Sequence, residues 1–276
     1  MQLERGMNVF ITGAASGIGR AAALAAADRG LCLILTDLDA AGLAETRRLA
    51  EARGGEVALA RALDVTDLDA VCAFAADAQA ACGAMHVVLN VAGVALFGLI
   101  EDMRHADWKR VIDVNLWGSI HVVEAVLPAM IAARRGQLVN IASVAGLCGL
   151  PWHAAYSTSK WAVVGLSEVL RVDLRQHGIG VTVVCPGAVD TPMKHSGVIL
   201  GVDPQRPELL ALRQRFDRIA VSPDAVAQVI YRAVAANRFL AFTSWDVRAA
   251  YYLKRFALPL YDVGLLRISA MLNRLR

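Results

Sequence analysis

The sequence predicts one α/β domain built around a parallel sheet, and two features of the chain support this fold class. Short apolar runs alternate with alanine-rich segments of helical periodicity, and the connections between them are short. The composition is 57% hydrophobic, much of it alanine and β-branched residues, which suits strands buried on both faces. A chain of 276 residues with this pattern can form a single domain with a large core.

The predicted elements follow one another in chain order. We expect strands at Asn8–Thr12, Cys32–Thr36, Val57–Ala62, His86–Asn90, Gln137–Ala142, Val181–Cys185 and Phe239–Thr243. We expect helices at Arg20–Arg29, Ala40–Arg53, Asp67–Cys82, Trp108–Ala133, Ala155–His177 and Pro223–Ala235. The proline-containing stretch Ala188–Ser222 is predicted to be irregular and to act as a lid, because it follows a strand that should end at the binding crevice. A plain surface loop is the alternative.

The composition argues against several other classes of protein. The net charge is only +3, so the chain lacks the basic footprint of a nucleic-acid-binding protein. The five cysteines are scattered without a C-x-x-C pair, which favours a reducing compartment over disulfides or a metal site. Strand-like sequence begins by Asn8, leaving no room for a signal peptide, so we expect a cytoplasmic protein. The uncharged stretch Ala78–Ile100 contains several glycines and is predicted to hold a strand and a loop, not a membrane span.

A glycine-rich turn after the first strand predicts a nucleotide site. The segment T-G-A-A-S-G-I-G runs from Thr12 to Gly19 and stands between a strand and a helix. Glycines permit a tight turn there and let backbone amides approach a pyrophosphate at the helix N-terminus. The contacts predicted in this turn are Gly13, Ser16, Gly17, Ile18 and Gly19.

Asp37, at the end of the second strand, indicates which dinucleotide binds. Its carboxylate can accept hydrogen bonds from the adenosine ribose hydroxyls and would repel a 2′-phosphate. Ser16 offers no positive charge to such a phosphate, and Arg20 is better explained as a solvated or ion-paired residue of the first helical turn. We therefore expect NAD rather than NADP. Further contacts are expected from the ends of the next two strands, at Asp64, Val65, Asn90, Ala92 and Gly93.

Asp64 has two interpretations. Its carboxylate could accept a hydrogen bond from the adenine amino group, or it could cap the helix that follows. Thr66 or Asp67 could supply the cap instead.

A second group of residues predicts acid/base chemistry. Tyr156 and Lys160 stand one helical turn apart in Y-S-T-S-K, and Ser143 lies thirteen residues upstream of the tyrosine. A phenol has an ordinary pKa of about 10, and an ammonium group on the same helix face favours the phenolate. A serine hydroxyl beside that phenol could hold a carbonyl or alcohol oxygen. The three residues together predict hydride transfer to or from a carbon–oxygen bond.

With these motifs the chain resembles the short-chain dehydrogenase/reductase family, which is marked by T-G-x-x-x-G-x-G and Y-x-x-x-K. The match runs from about Asn8 to Thr243. The resemblance implies a Rossmann-type, doubly wound sheet of seven parallel strands, with the active site at their carboxyl ends, and we expect a homodimer or homotetramer. We assign residues 1–245 to this dinucleotide-binding and catalytic domain and 246–276 to a C-terminal helical extension.

The resemblance also implies residue roles. Tyr156 would be the acid/base, Lys160 would bind the nicotinamide ribose and lower the tyrosine pKa, and Ser143 would orient the substrate oxygen. Asn115 would hold a water in a proton relay. The segment that follows Cys185 would contact the nicotinamide through Pro186, Gly187, Val189 and Thr191. One departure is visible, since Val91 stands where the family often has a second asparagine in N-N-A-G.

The substrate is predicted to be a lipophilic alcohol or ketone, because the residues expected around Tyr156 are mostly apolar. This wall comprises Phe97, Leu147, Cys148, Leu150, Trp152, His153 and Met193, with Ser143 and Tyr156 at its reactive end. His153 could donate a hydrogen bond to a polar group or could be an ordinary loop histidine. No metal site is expected. An NADPH-dependent ketoreductase acting on an acyl-chain carbonyl is the nearest alternative, and a non-catalytic dinucleotide-binding protein is a further one.

The C-terminal extension is basic and apolar. From Asp246 to Arg276 it carries six basic and two acidic residues, and it is predicted to form helices at Val247–Leu258 and Leu260–Arg274 around Pro259. Such a segment could lie in a membrane interface, which would place the protein peripherally at a membrane surface. Packing on a partner subunit or over the pocket mouth is the equal alternative.

Overall fold

Seven parallel strands form the central sheet of the computed structural model, which describes residues 2–193, 198–203 and 205–275. The strands lie in the order β3-β2-β1-β4-β6-β7-β9, so the chain reverses direction across the sheet between β1 and β4. Two short strands, β5 and β8, pair separately. The bounds are β1 Asn8–Thr12, β2 Cys32–Asp37, β3 Glu56–Ala62, β4 Val87–Asn90, β5 Leu96–Phe97, β6 Gly136–Ile141, β7 Ile179–Cys185, β8 Val198–Ile199 and β9 Leu240–Phe242.

Helices connect the strands and cover both faces of the sheet. Their bounds are α1 Gly17–Ala27, α2 Ala40–Ala52, α3 Leu68–Cys82, α4 His105–Ile112, α5 Gly118–Ala133, α6 Ala154–Asp173, α7 Pro207–Ile219, α8 Pro223–Ala235, α9 Trp245–Phe256 and α10 Leu258–Leu272. The predicted α/β class and seven-stranded parallel sheet with C-terminal helices are confirmed.

Residues of β1 show how the sheet divides the core. Val9 and Ile11 pack with α1, α2 and α8 on one face, whereas Phe10 packs with α3 and α5 on the other. Side chains alternate between the two faces of a strand, and all three are at most 1% exposed. A strand that is apolar at every position is therefore what a sheet covered on both faces requires.

Two predicted elements differ from the structure. The single helix expected at Trp108–Ala133 is interrupted by a π-helical turn at Asp113–Trp117, which separates α4 from α5. The predicted irregular stretch Ala188–Ser222 contains β8 and the thirteen-residue helix α7. Residues 194–197 and 204 of that stretch lie outside the described residues. The prolines misled the prediction, because Pro207 begins α7 and a proline is well tolerated in the first helical turn.

The stretch weighed as a membrane span, and one further apolar stretch, belong to the fold. Ala78–Ile100 contains the end of α3, then β4 and β5. Within the described ranges, the helical run His105–Ala133 is the one that could cross a membrane by length and composition. Its Val122, Val126 and Met130 pack in the core against the sheet.

Candidate active site

A cavity of about 1240 Å³ opens at the carboxyl ends of the central strands. Asp37 lines it from the end of β2, Gly93 from the loop after β4, Ser143 from the loop after β6 and Pro186 from the loop after β7. This is the crevice beside the point where the strand order reverses, the place where open α/β sheets bind ligands. The cavity therefore joins the predicted nucleotide and acid/base residues in one space.

The glycine-rich turn between β1 and α1 is shaped by close backbone contacts. Gly13 has φ +67°, and a Cβ there would lie 2.7 Å from the backbone nitrogen of Ala92. A Cβ at Gly19 would lie 2.0 Å from the carbonyl oxygen of Gly13. Neither position can carry a side chain without moving the backbone. The turn is thus held against the loop after β4, with the N-terminus of α1 facing the cavity.

Two residues mark the anion end of this cavity. Gly17 has φ +50°, and a Cβ there would lie 3.0 Å from the Thr191 methyl carbon. Ser16 is exposed and makes no capping hydrogen bond to α1. The first amides of α1 thus have no side-chain cap. A Cβ at residue 17 would narrow the space between these amides and Thr191. An unfilled helix N-terminus of this kind suits a pyrophosphate.

Asp37 supports the turn and keeps acceptor capacity. Its Oδ2 accepts a hydrogen bond from the Ala15 amide at 2.9 Å, and its Oδ1 accepts from the Asp39 amide at 2.9 Å. Each carboxylate oxygen has two lone-pair sites, so each oxygen can still accept one hydroxyl. Asp37 lines the cavity, and this arrangement fits a diol such as an adenosine ribose.

Arg20 does not compete for that role. Its Nε donates to the Thr46 hydroxyl at 2.9 Å, and its guanidinium also donates to the carbonyl oxygens of Ala15 and Gly42. These bonds place it between α1 and α2, and it is not among the residues that line the cavity. The cations that line the cavity, within the described residues, are Arg110, Lys160 and Arg213.

Asp64 does not cap the helix that follows it, which was the alternative to a role in binding adenine. Asp67 caps α3 by accepting from the Ala70 amide at 3.0 Å, while Asp64 accepts from the Thr66 amide at 2.9 Å. Asp64 and Val65 line the cavity.

Asn90 differs from the prediction. Its side chain is 4% exposed, donates to Asn140 Oδ1 at 2.9 Å and does not line the cavity. The reason is strand alternation, since the end of β4 points this side chain toward the face of the sheet that α5 covers. Its neighbours Ala92 and Gly93 do line the cavity.

Tyr156, Ser143 and Lys160 meet on the wall of the cavity. Lys160 is 4% exposed, and its Nζ donates to the Ile141 carbonyl at 2.9 Å and lies 5.9 Å from the centre of the Tyr156 ring. Ser143 precedes a short 3-10 turn at Val144–Gly146, and its Oγ accepts from the Ala145 amide at 3.1 Å. The Ser143 hydroxyl is also within hydrogen-bonding reach of Tyr156.

The pKa values of this group are set mainly by burial. Burial raises the pKa of Tyr156, and the Ser143 hydroxyl opposes that change. Burial lowers the pKa of Lys160 to about 8, and the Cys185 thiol opposes that change. The predicted lowering of the tyrosine pKa is therefore not found, because burial disfavours the phenolate and raises the pKa instead.

Asn115 lies in the π-helical turn and fixes the loop above the lysine. Its Nδ2 donates to the Val94 carbonyl and to Ser159 Oγ, both at 3.0 Å, and its Oδ1 accepts from the Val94 amide at 2.8 Å. A Cβ at Gly93 would lie 3.1 Å from Asn115 Oδ1 and 3.5 Å from Lys160 Nζ. Asn115 thus adjoins Lys160 behind the cavity wall, and π-helical turns often occur at functional sites.

The remaining cofactor residues of the prediction are found around the same cavity. The turn residues Gly13, Ser16, Gly17, Ile18 and Gly19 line it from one side. Pro186, Gly187, Val189 and Thr191 line it from the segment after β7.

The predicted substrate wall is present in part. Phe97, Leu150, Trp152, His153 and Met193 line the cavity, but Leu147 and Cys148 do not. Cys148 is 1% exposed, and both residues pack in a separate core cluster against the C-terminal helix α10. The 3-10 turn after Ser143 directs them away from the cavity, which the sequence spacing did not reveal.

His153 has a defined hydrogen-bonding state. Its Nδ1 lies 2.6 Å from the Pro151 carbonyl, and burial lowers its pKa. A carbonyl can only accept, so Nδ1 carries the proton and Nε2 of the neutral ring is an acceptor. The ring centre lies 4.5 Å from that of Phe97 and 6.3 Å from that of Tyr156. His153 therefore presents an acceptor beside Phe97 and Tyr156, and not the donor that was one of its two interpretations.

Several wall residues were missed by the sequence interpretation. They come from the interrupted helix, from α7 and from the last helix, and comprise Arg110, Asp113, Val114, Leu209, Leu212, Arg213, Phe216, Asp217 and Leu272. The helical periodicity of residues 207–219 was the available signal for α7. No local pattern could have placed Leu272, because its contact with the wall depends on the path of the whole tail.

Known proteins resemble this chain over most of its length. The family model described as short chain dehydrogenase matches residues 7–198. A putative oxidoreductase, SadH, from Mycobacterium tuberculosis is 37% identical over 259 residues, covering 92% of each chain. The 3-oxoacyl-[acyl-carrier-protein] reductase FabG of Thermotoga maritima is 36% identical, covering 83% of this chain and 90% of its own.

A solved structure extends the similarity to three dimensions. The crystal structure of a short chain dehydrogenase/reductase from Burkholderia phymatum in complex with NAD has a TM-score of 0.83 and 33% identity. It covers 94% of this chain and 96% of that one. With its glycine turn, its Tyr156–Lys160 pair and this agreement in sequence and fold, the chain belongs to the short chain dehydrogenase family of oxidoreductases.

Proposed function

We propose that the protein transfers a hydride reversibly between NAD(H) and a lipophilic alcohol or ketone, with Tyr156 as the acid/base. The observation that carries this proposal is the shared cavity, where Asp37 and the glycine turn lie at one end and Tyr156, Ser143 and an apolar wall at the other. The bound dinucleotide supplies the hydride acceptor or donor, and the chain's own residues handle the proton and the orientation of the substrate.

The proton moves at the Tyr156 oxygen. In the oxidative direction the phenolate takes the hydroxyl proton of the alcohol, and in the reductive direction the phenol returns a proton to the carbonyl oxygen. Ser143 holds the same substrate oxygen by a hydrogen bond and keeps it beside the phenol. Lys160, 5.9 Å from the ring centre, is the charge of this chain that favours the phenolate.

The preference for NAD is supported by the charges of the nucleotide half. Asp37 presents a carboxylate with unused lone pairs where a 2′-phosphate would otherwise lie. Among the described residues, the cations that line the cavity are Arg110, Lys160 and Arg213, and none of them belongs to residues 13–39, which contain the glycine turn and Asp37. The Burkholderia relative, solved with NAD, agrees with this preference.

A lipophilic substrate is supported by the wall residues. Phe97, Leu150 and Trp152 surround the Tyr156 side of the cavity, and Leu209 and Leu272 extend the apolar surface. The His153 acceptor suits a substrate with one further hydroxyl or amide donor near the reacting carbon.

One alternative has a specific observation in its favour. The chain is similar to a 3-oxoacyl-[acyl-carrier-protein] reductase, and Arg213 on α7 lines the cavity, where it could meet an anionic carrier. This alternative is an NADPH-dependent ketoreductase of an acyl-chain carbonyl.

A cofactor and substrate screen separates the two functions. The absorbance of the reduced nicotinamide is followed with NAD and NADP against lipophilic secondary alcohols, and with NADH and NADPH against free ketones and acyl-carrier-linked 3-oxo chains. We expect turnover of free lipophilic alcohols with NAD. Turnover confined to NADPH and the carrier-linked ketone would establish the alternative instead.

A further inference from the structure

The outward side of the last two helices is apolar and exposed. We call this surface the C-terminal face; its members are Trp245, Tyr252 and Phe256 of α9 and Leu260, Val263 and Leu266 of α10. Trp245 is 81% exposed, Phe256 77%, Leu266 70% and Leu260 66%. Side chains of this size and type are normally buried, so their exposure on two helices that pack together indicates an interaction surface.

Helical spacing places each group on one side of its helix. Trp245, Tyr252 and Phe256 are separated by seven and four residues, which gives one stripe along α9, and the Tyr252 and Phe256 rings stack with centres 6.1 Å apart. On α10, Leu260, Val263 and Leu266 are spaced by three residues. The opposite side of α10 is apolar too, with Tyr261 and Leu272 buried in the protein. A helix that is apolar on both sides is expected to be covered on both.

The inner sides of these helices are firmly attached, which fixes the orientation of the C-terminal face. Lys254 donates to the Leu147 carbonyl at 2.8 Å, and its Nζ lies 3.8 Å from the centre of the Trp161 ring. Trp152 Nε1 donates to Asn273 Oδ1 at 3.2 Å. The exposed apolar side is therefore the outer surface of a docked helix pair.

Arginines accompany the apolar stripe. Arg248 and Arg255 are exposed on α9, and Arg267 is exposed on α10. The Arg248 guanidinium lies 5.8 Å from the centre of the Tyr252 ring, so it adjoins the aromatic stripe directly. In the described part of the chain, none of these three arginines forms an ion pair with a carboxylate. The face thus combines apolar and aromatic side chains with three arginines that are not ion-paired within the described residues, and Asp246 and Asp262 are the acidic residues of the same two helices.

We propose that the C-terminal face is a docking surface for an anionic lipid bilayer. The aromatic and leucine side chains would enter the boundary between headgroups and acyl chains, and the arginines would pair with anionic headgroups. A second copy of the chain is the poorer occupant, because a symmetric contact would bring two sets of unpaired arginines together. The surface differs from the substrate cavity, although Leu272, on the inner side of α10, reaches the cavity wall.

The test is flotation of the full-length protein with vesicles, which is independent of turnover. We expect binding to vesicles of phosphatidylcholine mixed with phosphatidylglycerol, and at least about tenfold weaker binding to phosphatidylcholine alone. The variant L260Q/L266Q should weaken binding to the mixed vesicles roughly a hundredfold, because each substitution removes apolar contact. The variant R248Q/R255Q/R267Q alters only exposed side chains. It should weaken binding to the mixed vesicles roughly a hundredfold as well, and the remaining binding should no longer depend on salt concentration.

The matched control is I100Q/I219Q. Ile100 and Ile219 are 65% and 67% exposed, like the two leucines, but they lie outside the C-terminal face. We expect this variant to bind vesicles as the wild type does. Equal loss in both leucine and isoleucine variants would overturn the proposal. The proposal would also be wrong if the wild-type protein did not bind vesicles and instead self-associated through the C-terminal face. Self-association of this kind would show as a sedimentation coefficient that falls in L260Q/L266Q and not in I100Q/I219Q.

Discussion

The two ends of the cavity are built from segments at very different distances along the chain. At the nucleotide end, the Ala15 amide binds Asp37 across 22 positions, and the turns after successive strands supply most of the wall, completed by the segment that contains Thr191. At the substrate end, Trp152 is bonded to Asn273, 121 positions away, and α7 and α10 complete the wall. The nucleotide end therefore depends mainly on turn geometry, and the substrate end depends on how distant helices pack. A substitution at one end should leave the function of the other end unchanged.

The largest expected effect is at Tyr156, where the two ends meet. Tyr156→Phe removes the proton carrier and keeps the ring, so we expect turnover to fall by about 10²–10⁴-fold while NAD binding is retained. Steady-state rates and a fluorescence titration with NADH measure the two quantities. Activity close to the wild type would remove Tyr156 from its proposed role.

The next effect concerns Lys160, which lies between the ends. Its pKa falls from the ordinary 10.5 to about 8 on folding, so the unfolded chain binds more protons between these values. Stability carried by this residue should therefore rise with pH across that window, by up to about 3 kcal/mol, and be constant below it.

The matched comparison is Lys160→Met. The difference in free energy of unfolding between wild type and variant, measured by urea denaturation, should shift in favour of the wild type from about pH 8 to about pH 10.5. A difference that stays flat across this window would contradict the buried position of the ammonium.

At the nucleotide end, Asp37→Ala should relax the cofactor preference. Loss of a charged acceptor removes hydrogen bonds to a ribose and the repulsion of a 2′-phosphate, so the NAD:NADP ratio of kcat/KM should fall roughly tenfold or more. Asp67→Ala is the control, since Asp67 caps α3 through the Ala70 amide and does not line the cavity. We expect that control to lower stability and leave the ratio unchanged. An unchanged ratio in the Asp37 variant would exclude its role.

The smallest effect is expected at the substrate end. Leu272→Ala removes apolar surface from the cavity wall, so the KM for a lipophilic substrate should rise several-fold while the KM for NAD stays the same. Leu266→Ala changes the outer side of the same helix and should affect neither value with a water-soluble substrate. If both variants raised both KM values alike, the separation of the two ends would be wrong.

The same contrast explains what could be predicted from sequence. The strand bounds, the glycine turn, Asp37 and the Tyr156–Lys160 pair follow from patterns within short stretches, and the structure brings all these residues to one cavity. The errors concern orientation and distant packing. Asn90 and Cys148 lie near the expected places, but strand alternation and a 3-10 turn point them into the core.

Three further features were missed. The π-helical turn at Asp113–Trp117 lies within a continuous helical run, so the sequence interpretation took that run as one α-helix. Pro207 was taken as a sign of irregular chain although it stands in the first turn of α7. Leu272 lines the cavity only because the C-terminal helices return to it, and no short stretch of sequence predicts that path.

The position of Leu272 also orders the completion of the cavity during synthesis. A ribosome releases the chain from the N-terminus, so the glycine turn, Asp37, Tyr156 and Lys160 are all made before α10. The nucleotide end can thus take shape on a nascent chain while the substrate end still lacks its last wall. A polypeptide interrupted before residue 258 carries every residue that faces the nucleotide but lacks Leu272 of the substrate end.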